Sequence, residues 1–188
     1  LKSGGADYDV VIPSDYMIER MIKEDLLETA DFKSLPNYKY LDEKYTSMYY
    51  DEEGIYSVPY NVGMVGLIYN TAMVEEAPTS WTSLWDKNYS NSILMFNNPR
   101  DAFAIAQSVL GMDYNNESPA SWRIAAELLK EQKSVSPAYV NDEVFLKMEA
   151  GEAAFAPYYA GDFLSMQENN PDLDFVYPEE GVNFFVDG

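Results

Sequence analysis

Short apolar runs alternate along the chain with segments that are apolar on one face only. Residues 8–12 are apolar and β-branched, which is typical of a buried strand, and Pro13 ends this run. Ser14 is a suitable N-cap for a helix through residue 28. The helix has apolar positions at Met17, Ile18, Met21, Ile22 and Leu26. Because ligands of open α/β sheets bind beyond the carboxyl end of a strand, Ser14, Asp15 and Tyr16 are predicted to meet a ligand.

The same alternation continues in the rest of the chain. Residues 62–70 form an apolar run with two glycines, which predicts a strand at a hinge. Asn98 and Pro99 open a helix after a strand at 93–96. We also predict helices near 81–85, 119–130, 142–150 and 162–168, strands at 56–59, 153–156, 175–177 and 184–186, and a surface connection at 31–53. This order predicts an α/β protein with a mostly parallel sheet.

Composition narrows the classes of function. The 188 residues include neither Cys nor His, which excludes disulfides, cysteine catalysis, cysteine zinc sites and Ser-His triads. The formal charge of −20 argues against nucleic acid or an anionic membrane as partner, and favours a cationic ligand, a cationic partner or simple solubility. There is no glycine-rich phosphate loop and no carboxylate pair spaced for acid–base catalysis. We therefore predict no enzyme activity, no cofactor and no metal.

Three places combine aromatic residues with acids. Asp101 falls at the third position of its helix, where it can cap the helix or accept hydrogen bonds from an ammonium group. Tyr158 follows a predicted strand, where its ring can pack in the core or face a cation. Phe185 and Asp187 lie two residues apart in a predicted strand and therefore share a face. A π surface beside a negative charge favours an amine as ligand.

The chain resembles the periplasmic polyamine-binding proteins of bacterial ABC importers, the spermidine/putrescine-binding branch of the family 1 extracellular solute-binding proteins. The resemblance covers nearly the whole chain. It is carried by the stretches YDVVIPSDYMIERMIKEDLL, YSVPYNVGMVGLIYN, PTSWTSLWDKNYSNSILMFNNPRDAF, AAFAPYYAGDF and YPEEGVNFFVDG.

The resemblance implies a periplasmic-binding-protein type II-like α/β fold. Such a fold has two lobes, each with a mostly parallel sheet, and a ligand cleft between them. Residues 1–63 are then an incomplete lobe one with the first crossover, 64–184 are lobe two, and 185–188 start the return crossover. We accordingly expect the chain to be truncated at both ends, so that export and attachment to the membrane cannot be read from its termini.

The resemblance also implies which side chains bind the ligand. The serine and tyrosine after the first strand match Ser14 and Tyr16, and the acid at the helix start matches Asp101. The aromatic on the turn matches Tyr158. The aromatic and acid of the second crossover match Phe185 and Asp187. A second family acid is replaced by Asn98, which removes one charge contact.

The resemblance implies a receptor that captures a polyamine such as spermidine or putrescine and delivers it to ABC permease subunits. We expect it in the periplasm or outside the cell, lipid-anchored or tethered in its full-length form, without direct membrane insertion of this segment. A ferric-ion receptor that uses paired tyrosines, Tyr158 and Tyr159, is the alternative within the fold. A carboxylate-based glycoside hydrolase and a purely structural acidic domain are the alternatives from other classes.

Overall fold

The computed structural model describes residue 4 and residues 8–116 and 118–188. The α/β class is confirmed, since helices and strands alternate along the chain. The helices are α1 (Asp15–Lys23), α2 (Pro99–Val109), α3 (Pro119–Gln132), α4 (Glu143–Glu149) and α5 (Ala160–Asn169). The strands are β1 (Asn61–Asn70), β2 (Leu94–Phe96), β3 (Ala138–Val140), β4 (Phe155–Tyr159), β5 (Leu173–Val176) and β6 (Phe184–Asp187).

The chain divides into two compact units. Unit one comprises the described residues up to Gly63 together with Phe184–Gly188, and unit two comprises Met64–Asn183. Unit one is thus built from both ends of the chain. The predicted assignment of 1–63, 64–184 and 185–188 to the lobes and crossovers of a whole receptor stays a prediction.

In unit one, α1 buries Ile18 and Met21 on its apolar face. The helix ends at Lys23, five residues before the predicted end, because Asp25 adopts a left-handed conformation with φ 52°. The amide of Leu26 then bonds back to the carbonyl of Met21. This closing bond ends the helix and turns the chain away from its axis.

The predicted buried strand at residues 8–12 is wrong for this structure. Tyr8 is 62% exposed, Val10 78% and Ile12 59%, and within the described residues no strand pairs with this segment. An apolar run becomes a buried strand only where a neighbouring strand takes up its backbone hydrogen bonds and other layers cover its faces. The run does lead directly into α1, as predicted.

The predicted strand at 56–59 is also wrong, and one buried carboxylate explains why. Asp51, 6% exposed, accepts the backbone N–H groups of Ile55, Tyr56 and Ser57 at 2.8–3.1 Å. These amides are then unavailable to a sheet. The connection at 31–53 contains three short 3-10 turns, at Phe32–Ser34, Tyr38–Tyr40 and Glu43–Tyr45.

The strands of unit two belong to two sheets, a larger antiparallel one and a smaller parallel one, which corrects the expectation of a mostly parallel sheet. Strand β1 lies between β4 and β5 and is antiparallel to both. Strands β2 and β3 are parallel, and Ile93 forms a parallel bridge with Phe155. Helices connect β2 to β3, β3 to β4 and β4 to β5. Helical crossovers join parallel strands, whereas β1 enters without one and runs in the opposite direction.

The two glycines of β1 make room for aromatic rings. A Cβ placed on Gly63 would lie 2.1 Å from the ring of Phe185 in unit one. A Cβ on Gly66 would lie 2.1 Å from the ring of Phe175 in unit two. Each glycine thus allows a phenyl ring to pack directly on the strand backbone. The sequence correctly predicted a close approach here.

Other boundaries differ from the predicted ones in ways that affect the site. Strand β4 begins and ends later than the predicted 153–156, so both Tyr158 and Tyr159 belong to the strand. Strand β3 was not predicted. The segment Trp81–Trp85 is a 3-10 helix, held by the bond from the Trp81 indole to the carbonyl of Gly181 at 2.8 Å.

Candidate functional site

The buried carboxylate of Asp101 lies at the start of α2. Asn98 is the N-cap, and its side-chain oxygen accepts the amide of Arg100 at 3.0 Å. The Asn98 amide group donates to Asp101 Oδ2 at 2.7 Å. Asp101 is 5% exposed. The strand, cap and helix order therefore places a carboxylate in the first turn, where the helix dipole favours negative charge.

Two further neutral groups hold this carboxylate. The Tyr159 hydroxyl donates to Oδ2 of Asp101 at 3.0 Å, and the Asn183 amide donates to Oδ1 at 3.2 Å. Asp101 and Asn183 both line a small cavity, together with Trp81 and Tyr114. The result is a negative charge stabilised by three neutral dipoles from three parts of unit two.

The hydroxyls of the neighbouring Tyr158 and Tyr159 donate to different carboxylates. Tyr158 is 5% exposed, and its hydroxyl lies 3.4 Å from Oδ1 of Asp142. Burial, followed by the charge of Asp142, raises the pKa of Tyr158 to about 12. Burial, followed by the charge of Asp101, also raises the pKa of Tyr159. Both rings contact Phe96, with centroids 5.5 and 5.4 Å away.

This geometry separates the two tyrosines by role. The predicted aromatic, Tyr158, packs in the interior of unit two, whereas Tyr159 contacts the predicted acid, Asp101. Sequence reasoning did not include Tyr159 among the ligand-binding residues. Correct bounds for β4 would have found it, because the last residue of a strand is best placed to meet a ligand beyond the strand's carboxyl end.

In unit one, the carboxylate of Asp187 is only partly satisfied. Its Oδ1 is buried and has no hydrogen-bond partner within the described residues. Burial, followed by the charge of Asp15, raises the pKa of Asp187, and hydrogen bonding with the Ser14 side chain opposes part of this rise. A buried acceptor without a donor is costly and is rare in native proteins.

Unit one holds four of the predicted site residues: Ser14, Tyr16, Phe185 and Asp187. Ser14 is the N-cap of α1, where its carbonyl accepts the amides of Met17 and Ile18 while its side chain lies beside Asp187. Phe185 packs on Gly63. Tyr16 is 36% exposed on the first turn of α1. The structure therefore joins Ser14 to Asp187, and the ligand-binding roles of all four residues stay predictions.

Other features of the described residues bear on the class of site. No group of three or more acidic side chains is arranged to hold a metal ion in this part of the chain. An open groove in unit one, larger than the cavity beside Asp101, is lined by residues 29–33 and 54–55. It contains none of the predicted site residues. Among the helices that the structure describes, none has the length and apolar character needed to cross a bilayer.

Comparison with known proteins identifies the family. Residues 8–188 match the family described as bacterial extracellular solute-binding protein. The chain belongs to this family.

Similar relatives carry more specific names. The spermidine/putrescine-binding periplasmic protein 1 of Haemophilus influenzae is 30% identical over 187 residues, which is 99% of this chain and 51% of the relative. The spermidine/putrescine ABC transporter substrate-binding protein of Streptococcus pneumoniae is 32% identical, with a TM-score of 0.84 over 99% of this chain and 58% of that one. A lipoprotein of Treponema pallidum is 25% identical, with a TM-score of 0.88 over 98% of this chain and 59% of that one.

The Haemophilus relative is named as a binding protein, and the Streptococcus protein is named as the substrate-binding protein of an ABC transporter. The chain spans about half the length of the curated relatives that it matches. The solved structures confirm the periplasmic-binding-protein class of the fold predicted from the sequence.

Proposed function

We propose that this chain forms part of a receptor that captures a linear polyamine, such as putrescine or spermidine, and delivers it to an ABC permease. Relatives that align with 96–99% of the chain are named for this binding activity. The proposed location is periplasmic or extracellular, as their names indicate for them. The chain itself binds its ligand and does not transform it.

The observation that carries the proposal is the unsatisfied carboxylate of Asp187. Its buried Oδ1 lacks a donor among the described residues, although this oxygen is charged when the side chain is ionised. A primary ammonium group offers three N–H donors and a positive charge. Binding of an ammonium would supply the missing hydrogen bond and offset the cost of burying the charge.

The carboxylate of Asp101 is suited to a second ammonium group. Its negative charge is held by neutral donors from Asn98, Tyr159 and Asn183, so the geometry of the acceptor is fixed before a ligand arrives. Fixed acceptors reduce the ordering cost of binding. The aromatic ring of Tyr159 beside this acid adds a π face, and contact of a cation with such a face contributes about 0.5–2 kcal/mol.

The net charge agrees with a cationic ligand. The chain carries 32 acidic and 12 basic residues, so its field attracts polyamines and repels anions.

The geometry does not favour the ferric-ion alternative. The hydroxyls of Tyr158 and Tyr159 are directed to different carboxylates, those of Asp142 and Asp101. Burial raises the pKa of both phenols, which disfavours the phenolate form that would bind iron. The similar proteins of Haemophilus influenzae and Streptococcus pneumoniae are named for polyamines, and they give no support to a glycoside hydrolase either.

Calorimetry and thermal unfolding test the proposal. Putrescine and spermidine should bind the purified protein and raise its melting temperature, because a ligand that binds only the folded state stabilises it. Ferric ion, maltose and sulfate serve as comparison ligands and should leave the melting curve unchanged. If one of these three shifts the transition and neither polyamine does, the proposed ligand class is wrong.

A further inference from the structure

The segment 178–183, here called the anchor loop, is fastened at several points within unit two. Glu180 accepts hydrogen bonds from the Ser80 hydroxyl and from the amide of Trp81 at 3.3 Å. The carbonyl of Gly181 accepts the Trp81 indole N–H at 2.8 Å. The anchor loop is therefore a fixed support and not a loose connection.

Gly181 lets the anchor loop turn at this point. Its φ is +99°, and a Cβ here would approach the Tyr114 hydroxyl to 3.1 Å. Left-handed backbone of this kind favours glycine. The turn brings the last residue of the loop, Asn183, to the cavity that Asp101 also lines.

The backbone and the side chain of Asn183 form hydrogen bonds with different parts of unit two. Its carbonyl accepts the amide of Val65 at 3.0 Å, which attaches the loop to β1. Its side-chain amide donates to Oδ1 of Asp101 at 3.2 Å. Replacing the side chain therefore leaves the backbone attachment in place.

The donor from Asn183 acts on the other oxygen of the carboxylate. Asn98 and Tyr159 both bond to Oδ2 of Asp101, whereas Asn183 bonds to Oδ1. Rotation about the Cβ–Cγ bond moves both oxygens together, so a donor on Oδ1 adds to the resistance that the donors on Oδ2 provide. Hydrogen bonds from a ligand to the carboxylate depend on that orientation.

We propose that Asn183 is a positioning residue for amine binding, whose side-chain amide holds Oδ1 of the Asp101 carboxylate in its orientation beside the anchor loop. This inference rests on the proposed function, because it assigns Asn183 a part in the same site. It goes beyond the sequence resemblance, in which Asn183 had no role. The hydrogen bonds of the anchor loop hold Asn183 in place, and the Asn183 amide in turn restrains the Asp101 carboxylate.

The test is a double-mutant cycle measured by calorimetry with putrescine and spermidine as probes. Asn183→Leu keeps a similar volume, removes the donor, and should lower the affinity about tenfold, the loss expected from one hydrogen bond to a charged group. In an Asp101→Asn background the same substitution should change the affinity less than twofold, because the group that it positions is no longer a carboxylate. Val182→Ala, one residue away in the anchor loop, is the matched control and should bind as the parent does.

The outcomes separate the two proposals. If the parent protein binds neither polyamine, the proposed function fails and this inference fails with it. If the parent binds and Asn183→Leu binds equally well, only the inference is overturned. A tenfold loss that persists in the Asp101→Asn background shows a general structural role and also overturns it. Should Asn183→Leu not fold, Asn183→Ser, with a side chain too short for the bond, is expected to show the same loss and the same cycle.

Discussion

The two candidate carboxylates are satisfied to different extents in the free protein. In unit two, Asp101 accepts three hydrogen bonds from neutral donors. In unit one, Asp187 has a buried oxygen without a donor within the described residues. The donors around Asp101 thus need its carboxylate as their acceptor, whereas Oδ1 of Asp187 would gain a hydrogen bond only from a ligand. Both aspartates are proposed to bind the same ligand, but only Asp101 is expected to stabilise the free protein.

The largest expected effect is on stability when each acid is replaced by an apolar residue. Asp101→Leu leaves the donors of Asn98, Tyr159 and Asn183 without an acceptor, so we expect the unfolding free energy to fall by about 3 kcal/mol. Asp187→Leu removes a carboxylate whose buried Oδ1 already lacks a donor, and should change the unfolding free energy by less than about 1 kcal/mol. Urea denaturation of both variants measures the difference. Equal losses would contradict the comparison.

The next effect concerns the glycines under the two phenyl rings. Gly63→Ala and Gly66→Ala each place a methyl group 2.1 Å from a ring, and overpacking of this kind costs about 1–3 kcal/mol. Only Gly63→Ala displaces Phe185, so only this variant should also weaken polyamine binding. Denaturation and calorimetry on the pair test this. A matching loss of affinity in Gly66→Ala would show that the effect is not specific to the site.

The two N-caps should differ by a smaller amount. Asn98 accepts the amide of Arg100 and also donates to Asp101, so Asn98→Ala should cost about 1–2 kcal/mol of stability. Ser14 makes no side-chain cap bond, and Ser14→Ala should cost only about 0.5 kcal/mol or less. Thermal unfolding of the two variants side by side provides the check. A larger loss for Ser14→Ala would mean that its contact with Asp187 outweighs the missing cap.

The smallest effect is a pH dependence that depends on Asp187. Burial and Asp15 raise the folded-state pKa of Asp187 above its ordinary value, so the folded state holds this proton more tightly than the unfolded state. The stability from the bound proton is present below the ordinary pKa and is lost as pH rises through the raised one. Tyr50 also lies in this region, where burial, followed by the charges of Asp15, Tyr49, Asp51 and Asp187, raises its pKa.

Asp187→Asn removes this titration and should be more stable than the parent at pH 7 but not at pH 3. Denaturation of both proteins at a series of pH values measures how the difference in their unfolding free energies changes with pH. Asp162→Asn in unit two is the comparison variant, since burial and Asp142 raise the pKa of Asp162 too. A parent and Asp187→Asn variant that keep a constant difference from pH 3 to pH 7 would contradict the expectation.

The sequence by itself determined the elements whose signals are local. Asn98 with Pro99 and Ser118 with Pro119 place the starts of α2 and α3 correctly, because N-caps and first-turn prolines act within a few residues. The apolar run of β1 and its two glycines were likewise readable. The α/β class and the family resemblance followed from these patterns.

Only the tertiary structure decided the features that depend on distant residues. The hydrogen bonds of Asp51 replace a predicted strand. Strand β1 pairs antiparallel with β4 and β5, and no strand among the described residues pairs with residues 8–12. The bonds of Asp101 to Tyr159 and Asn183 span 58 and 82 positions. Apolar periodicity indicates which face of an element is buried, but it does not indicate which polar side chain forms a hydrogen bond with a given acid. That pairing is set by how the elements pack.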